Sequence, residues 1–204
     1  TLGRRTFAKT LKYIRVTISA NFGNVISMAI ASLFLPYLPL LPIQILLLNV
    51  LSDIPALTLA QDAVDAEDVQ RARAWNVRDI RRFMVTFGLI SSVFDLATFA
   101  ILHLGLGSSP EQFRTGWFVE STLTEIVALL VLRTSRVSWL SKPSTRLLQF
   151  SGVVTLIVLA IPFFPLTHYL GMGHLTGTLI GVLAMLTGLY VVLNELAKRW
   201  FYRG

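Results

Sequence analysis

Six apolar stretches, each about as long as a bilayer core is thick, divide this 204-residue chain. A membrane-spanning helix needs roughly 20 apolar residues. The stretches run over about 16–35, 38–60, 83–104, 116–132, 147–164 and 175–193. Every Lys and Arg except Arg114 falls in the connections on one side of them. The N-terminal segment holds Arg4, Arg5, Lys9, Lys12 and Arg15, and the second connection holds Arg71, Arg73, Arg78, Arg81 and Arg82. The fourth connection holds Arg133, Arg136, Lys142 and Arg146, and the C-terminus holds Lys198, Arg199 and Arg203. Basic residues stay with the cytoplasmic loops. The pattern therefore predicts an all-α membrane protein, a six-transmembrane-helix bundle in the cell membrane with both termini cytoplasmic. Residues 1–15 read as a cytoplasmic stalk.

Charge supports the same reading. Charged residues are 14% of the chain, against about 25% in soluble domains, which excludes disorder and argues against a soluble enzyme. The net charge of +7 is explained by basic collars that meet anionic headgroups. Nucleic acid is not an expected partner, because no basic run is interleaved with aromatics in a soluble module. The lipid bilayer is. Cysteine is absent, which removes disulfides, thiolate metal sites and cysteine nucleophiles. The chain has no GxxxxGK[ST], no Ser/His/Asp grouping and no HExxH, so nothing in it reads as an ATP-hydrolysing site. It opens on Thr1 rather than Met, and its first apolar stretch is interrupted by Asn and Ser. A cleavable signal peptide is thus not expected, and an excerpt of something longer is.

The connections carry their own expectations. Pro36-Tyr37-Leu38-Pro39 predicts a tight hairpin, since Pro fixes its own backbone and disfavours helix before it. Asp62 to Asp79 predicts a short amphipathic surface helix around Val64, Val69 and Trp75. Trp200, Phe201 and Tyr202 predict an interfacial aromatic belt. Gly177 and Gly181 form a GxxxG pattern suited to close helix packing. No internal repeat is visible, which argues against a secondary carrier and for one membrane domain.

Polar groups at membrane depth are costly and need a reason. Asn21 and Asn24 are spaced i, i+3, and Asn49, Ser52 and Asp53 are spaced i, i+3, i+4, so each set shares a helix face. Pro55 cannot donate its backbone bond, and its ring opposes the carbonyl of Leu51, which predicts a kink or unwinding over 52–55. Carboxylate, amide, hydroxyl and freed carbonyl oxygens together suit a hard cation. Asparagine or serine taken alone serves equally to hold helices together. Asp95 reads as an interhelical hydrogen-bonding group. Glu120 is placed toward the outer interface and Glu125 deeper, as a candidate for coordinating an ion or proton. His103, His168 and His174 fall near outer span ends.

Several of these stretches form a familiar pattern. Lys12-Tyr13-Ile14, Ser19-Ala20-Asn21-Phe22-Gly23-Asn24-Val25 and Leu48-Asn49-Val50-Leu51-Ser52-Asp53-Ile54-Pro55 resemble the C-terminal transmembrane region of P-type cation-transporting ATPases, in particular the magnesium-transporting branch. Phe87-Gly88-Leu89-Ile90-Ser91-Ser92-Val93-Phe94-Asp95 and Gly116-Trp117-Phe118-Val119-Glu120 extend the likeness. The resemblance implies that the six spans are the fifth to tenth of ten. It implies a metal site drawn from Asn21 and Asn24, then Asn49, Ser52 and Asp53, then Glu125. Mg²⁺ is the implied transported ion. Asn24 stands where calcium pumps have a glutamate, which points away from a calcium-type site. The family's phosphorylated aspartate, its nucleotide and actuator domains and its fourth helix precede this region. ATP would act only through those N-terminal pump domains, partners in cis or in trans, and the chain by itself is expected not to be catalytic. The alternatives are a free-standing or truncated non-catalytic membrane protein that pairs with a pump or other membrane partner, and a passive channel or carrier.

Overall fold

A computed structural model describes residues 2–62 and 76–203. It contains helices α1 (Leu2–Phe34), α2 (Pro42–Leu57), α3 (Val77–Phe99), α4 (Pro110–Leu132), α5 (Thr145–Ala160) and α6 (Gly177–Arg203), with no strand among the described residues. Each helix, with the tighter or wider turns that continue it, is long and apolar enough to cross a membrane. The fold is the all-α bundle that the hydropathy pattern predicts.

Local chemistry sets the helix starts. Asn76 Oδ1 accepts from the N–H groups of Arg78 (3.1 Å) and Asp79 (3.3 Å), and Ser144 Oγ accepts from Leu147 N–H (3.3 Å). Ser109 and Gln112 exchange side-chain to backbone bonds ahead of Pro110. These caps satisfy N–H groups that a helix cannot pair internally. They also begin α3 and α4 earlier than hydropathy alone predicts. Arg78, Arg81 and Arg82 therefore belong to α3, and Glu111 and Arg114 lie in the first turns of α4. The surface helix expected around Val64, Val69 and Trp75 lies outside the described residues.

Successive helices alternate in direction. At one end, Arg15 Nη2 meets Asp79 (3.4 Å) and Lys9 Nζ donates to the Ala60 carbonyl (2.9 Å). At the other, Arg114 Nε donates to the Leu38 carbonyl in the Pro36–Pro39 turn (3.0 Å), and Tyr37 stacks edge-on against Phe113. The basic residues thus gather where α1, α3 and α5 begin and α2, α4 and α6 end.

Two of them do not form the headgroup collar that the sequence predicts. The Arg133 side chain is 0% exposed and bonds to Asp62 (3.0 Å), which in turn accepts from Ser144 N–H (2.9 Å). This buried pair joins the ends of α2 and α4 to the start of α5. Lys198 is buried against Glu195 (3.1 Å), the Val131 carbonyl (2.9 Å) and Ser138 Oγ (3.0 Å). The predicted aromatic belt is also only partial. Trp200 and Tyr202 are exposed, but Phe201 is buried against Phe83 (5.5 Å) and Phe87 (5.7 Å).

Helix α4 is the centre of the bundle. Of its apolar window 83% is buried inside the chain, against 28% for α1 and for α5. Phe113, Trp117 and Phe118 of α4 build the core with Phe99 of α3, whose ring meets Trp117 edge-on at 4.6 Å. A close helix crossing joins α1 to α3 at Gly23 and Gly88. A Cβ on Gly88 would lie 2.6 Å from Phe22 and 3.0 Å from the Ser19 carbonyl, and one on Gly23 would lie 2.9 Å from Ser91 Cβ. Gly177 and Gly181, the GxxxG pair, have open space beside them, so within this chain that pattern is not the packing seam.

The unwinding expected over 52–55 is absent. Helix α2 continues through Pro55 to Leu57 and only then tightens into a 3₁₀ turn over Thr58–Gln61. Pro removes one hydrogen bond, and in membrane helices side chains and local 3₁₀ turns re-satisfy the freed groups. Thr58 Oγ1 donates to the Pro55 carbonyl (2.6 Å) where the helix tightens.

Candidate functional site

Two adjoining clefts open between α1, α2 and α4. The smaller is lined by Asn21, Ser52, Asp53 and Glu125 among apolar neighbours. The larger, about 740 Å³, is lined by Asn21, Asn24, Asn49, Asp53 and Ser121. Asn21 and Asp53 line both. All six candidate metal-ligating residues therefore face this one region, from three helices that are not consecutive in sequence. The i, i+3, i+4 spacing does this on α1 and α2 by bringing each polar set to one face.

The side chains differ in how they are held. Asn24 Nδ2 donates to Glu125 Oε1 at 2.5 Å, and Asn24 Oδ1 accepts from Ser121 Oγ at 3.1 Å. That chain fixes the amide orientation and ties α1 to α4. Ser52 Oγ donates to the Leu48 carbonyl of its own helix (2.9 Å). Asn21, Asn49 and Asp53 are exposed within the chain, on the open side of the cleft. Glu125 is buried at its floor. Chemically, the clefts offer two carboxylates, three amides and three hydroxyls, those of Thr17, Ser52 and Ser121: hard oxygen donors. Among the described residues no three His, Cys, Asp or Glu side chains converge as a metal-binding group. A cation held here would draw on amide and hydroxyl oxygens as well as carboxylates.

Ser121 is a cleft residue that the sequence reading did not single out. Its signal was its position four residues before Glu125, on the same face. Asp95 takes the interhelical role expected of it. Its carboxylate accepts from Ser27 Oγ of α1 (2.6 Å) and Trp117 Nε1 of α4 (2.9 Å). Glu120 does not reach the outer interface: it is 0% exposed in the bundle core. The placement failed because hydropathy reports depth along a helix and not which way a side chain turns. The three histidines do not converge. His103 meets Tyr37, and His174 Nδ1 lies 3.0 Å from the Pro162 carbonyl.

Known proteins give this geometry a context. Residues 37–200 match the family described as cation transporting ATPase, C-terminus. The chain is 39% identical over 206 aligned residues to a magnesium-transporting ATPase, P-type 1, of Escherichia coli K12, covering 98% of this chain and 23% of that protein. A magnesium-transporting ATPase, P-type 1, of Salmonella typhimurium strain 14028s is 38% identical over the same shares. A calcium-transporting ATPase of Bacillus subtilis is 24% identical over 80% of this chain and 19% of that protein. The chain spans less than a quarter of the length of each of these relatives.

Proposed function

Because the chain belongs to the family of cation-transporting P-type ATPases, as their C-terminal membrane domain, we propose that its cleft between α1, α2 and α4 forms part of the binding site and path of transported Mg²⁺. The observation that carries this reading is the convergence of Asn21, Asn24, Asn49, Ser52, Asp53 and Glu125 on one region of an otherwise apolar bundle. Polar side chains at membrane depth are concentrated where ions pass. The magnesium-transporting relatives support Mg²⁺ as the cargo.

The roles follow from placement. Asp53, exposed on the open side, supplies charge to an arriving cation. Glu125 supplies a second carboxylate from the floor, oriented by Asn24. Asn21, Asn49 and Ser52 supply neutral oxygens. Mg²⁺ sheds its water reluctantly and is often held by one or two carboxylates plus retained waters. A cleft of about 740 Å³ has room for a partly hydrated ion. The open side, where Asn21, Asn49 and Asp53 lie exposed, is the face on which the rest of a pump's membrane domain would complete the site. Phosphoryl transfer from ATP would come from other parts of the pump. This chain would contribute the membrane passage, with the basic end of the bundle in the cytoplasm.

The test is Mg²⁺ uptake by the whole transporter carrying Asp53→Asn, reconstituted at matched protein amounts. The variant keeps size and hydrogen bonding and removes one charge. Transport is expected to fall to background while the protein folds. Normal transport would show that Asp53 only joins helices.

A further inference from the structure

We propose that Asp95 and Glu120 hold a single proton between them, forming a proton-binding site in the bundle core that is separate from the cation cleft. Glu120 is 0% exposed, and neither of its carboxyl oxygens has a hydrogen-bond partner among the described residues. Its position on α4 is one turn from Trp117, whose indole N–H donates to Asp95, and its side chain faces the Asp95 carboxyl. Asp95, 1% exposed, accepts from Ser27 of α1 and Trp117 of α4. Two ionised carboxylates only accept hydrogen bonds. Side by side and away from water they repel, and each bears the desolvation cost of a buried charge. One proton resolves all three problems: it converts one group to a donor, removes one charge and gives Glu120 its missing partner.

Among the described residues no cation faces the pair. The other titratable groups near it are Tyr190 of α6, which Ser91 and Asn194 accompany, and Glu125 of α4, with Asp53 of α2 beyond. None of these is basic. The buried Arg133 and Lys198 are engaged with Asp62 and Glu195 toward the opposite ends of the helices. On α4, Glu120 and Glu125 are five residues apart, or about 140° around the axis, so the two carboxyls leave the central helix on different sides, with Trp117, which bonds Asp95 and also lines the larger cleft, between them. They share α1: Ser27, which holds Asp95, is one turn from Asn24, which holds Glu125. This site goes beyond the cation reading and does not depend on it.

The experiment uses the full transporter in bilayers, with carboxyl-¹³C Asp and Glu, read by solid-state NMR at neutral pH. An acid-form carboxyl signal contributed by the pair is expected in the unmodified protein. It should vanish in Glu120→Gln and in Asp95→Asn, because either amide supplies the hydrogen that the proton supplied. Asp53→Asn should leave it in place, even with transport lost. Absence of an acid-form signal in the unmodified protein would overturn the proposal. So would a signal that persists in both pair variants, or one that Mg²⁺ abolishes, which would assign the pair to the cation path. The measurement on unmodified protein decides even if one variant does not fold.

Discussion

Asn24 is the residue on which the cleft geometry turns. From α1 its amide makes two bonds to α4, donating to Glu125 and accepting from Ser121. Replacing it with Ala removes both bonds and leaves Glu125 buried without that donor. Losing a partner of a buried polar group costs about 1–3 kcal/mol. Asn24→Ala is therefore expected to lower the thermal stability of the purified transporter and to slow Mg²⁺ uptake. The slowing should be less than in Asp53→Asn, because water can stand in for one neutral oxygen. Uptake at or below the Asp53→Asn level would assign Asn24 the leading role. The candidate site was legible at this scale because amides and carboxylates stand out against apolar neighbours, and helical spacing puts them on common faces. Glu120 and Ser121 were not legible. One residue separates the core from the cleft wall on α4, and no periodicity in a helix buried on nearly every side marks which is which.

At the scale of elements, one close-packed seam lies where no sequence motif marks it. Helices α1 and α3 cross at Gly23 and Gly88, and Ser92 Oγ donates to the Gly23 carbonyl (3.0 Å) across the seam. Small residues let membrane helices approach closely. The GxxxG pattern on α6 displays that rule in sequence, yet its glycines face open space, while Gly23 and Gly88 are single glycines on separate helices. Only pairing in three dimensions makes them a motif. Gly88→Val would force side-chain atoms into Phe22 and the Ser19 carbonyl, and backbone cannot yield as a side-chain tip can. Overpacking of this kind costs about 1–3 kcal/mol. The expected outcome is a lower unfolding temperature in detergent, with Gly181→Val nearly neutral by comparison. Equal effects would mean that the α1–α3 seam relaxes freely. Proline misled in the opposite way. Pro55 predicts unwinding, but the helix continues through it to Leu57.

For the whole molecule, the bundle and its polarity were the most legible features, because length and charge placement act over entire spans and tolerate local error. The burial of Arg133 and Lys198 was hidden, since a basic residue near a span end reads alike whether it meets headgroups or a buried carboxylate. The proposed orientation is open to a simple test, because the chain has no native cysteine. Single cysteines at Ser108 and at Gly204 should label from opposite faces of the membrane, with Gly204 cytoplasmic. Labelling of both from one face would contradict six crossings.

The central claim is that a divalent cation sits in the cleft between α1, α2 and α4. Anomalous scattering from Mn²⁺, supplied in place of Mg²⁺ to crystals of the whole transporter, locates the ion without reliance on activity. Mn²⁺ shares the preference for carboxylate, carbonyl and water ligands. The account predicts a peak in the cleft beside Asp53 and Asn24, at metal–oxygen distance directly or through one water. A transport-competent crystal whose bound ion lies elsewhere in the membrane, with that cleft holding none, would contradict it.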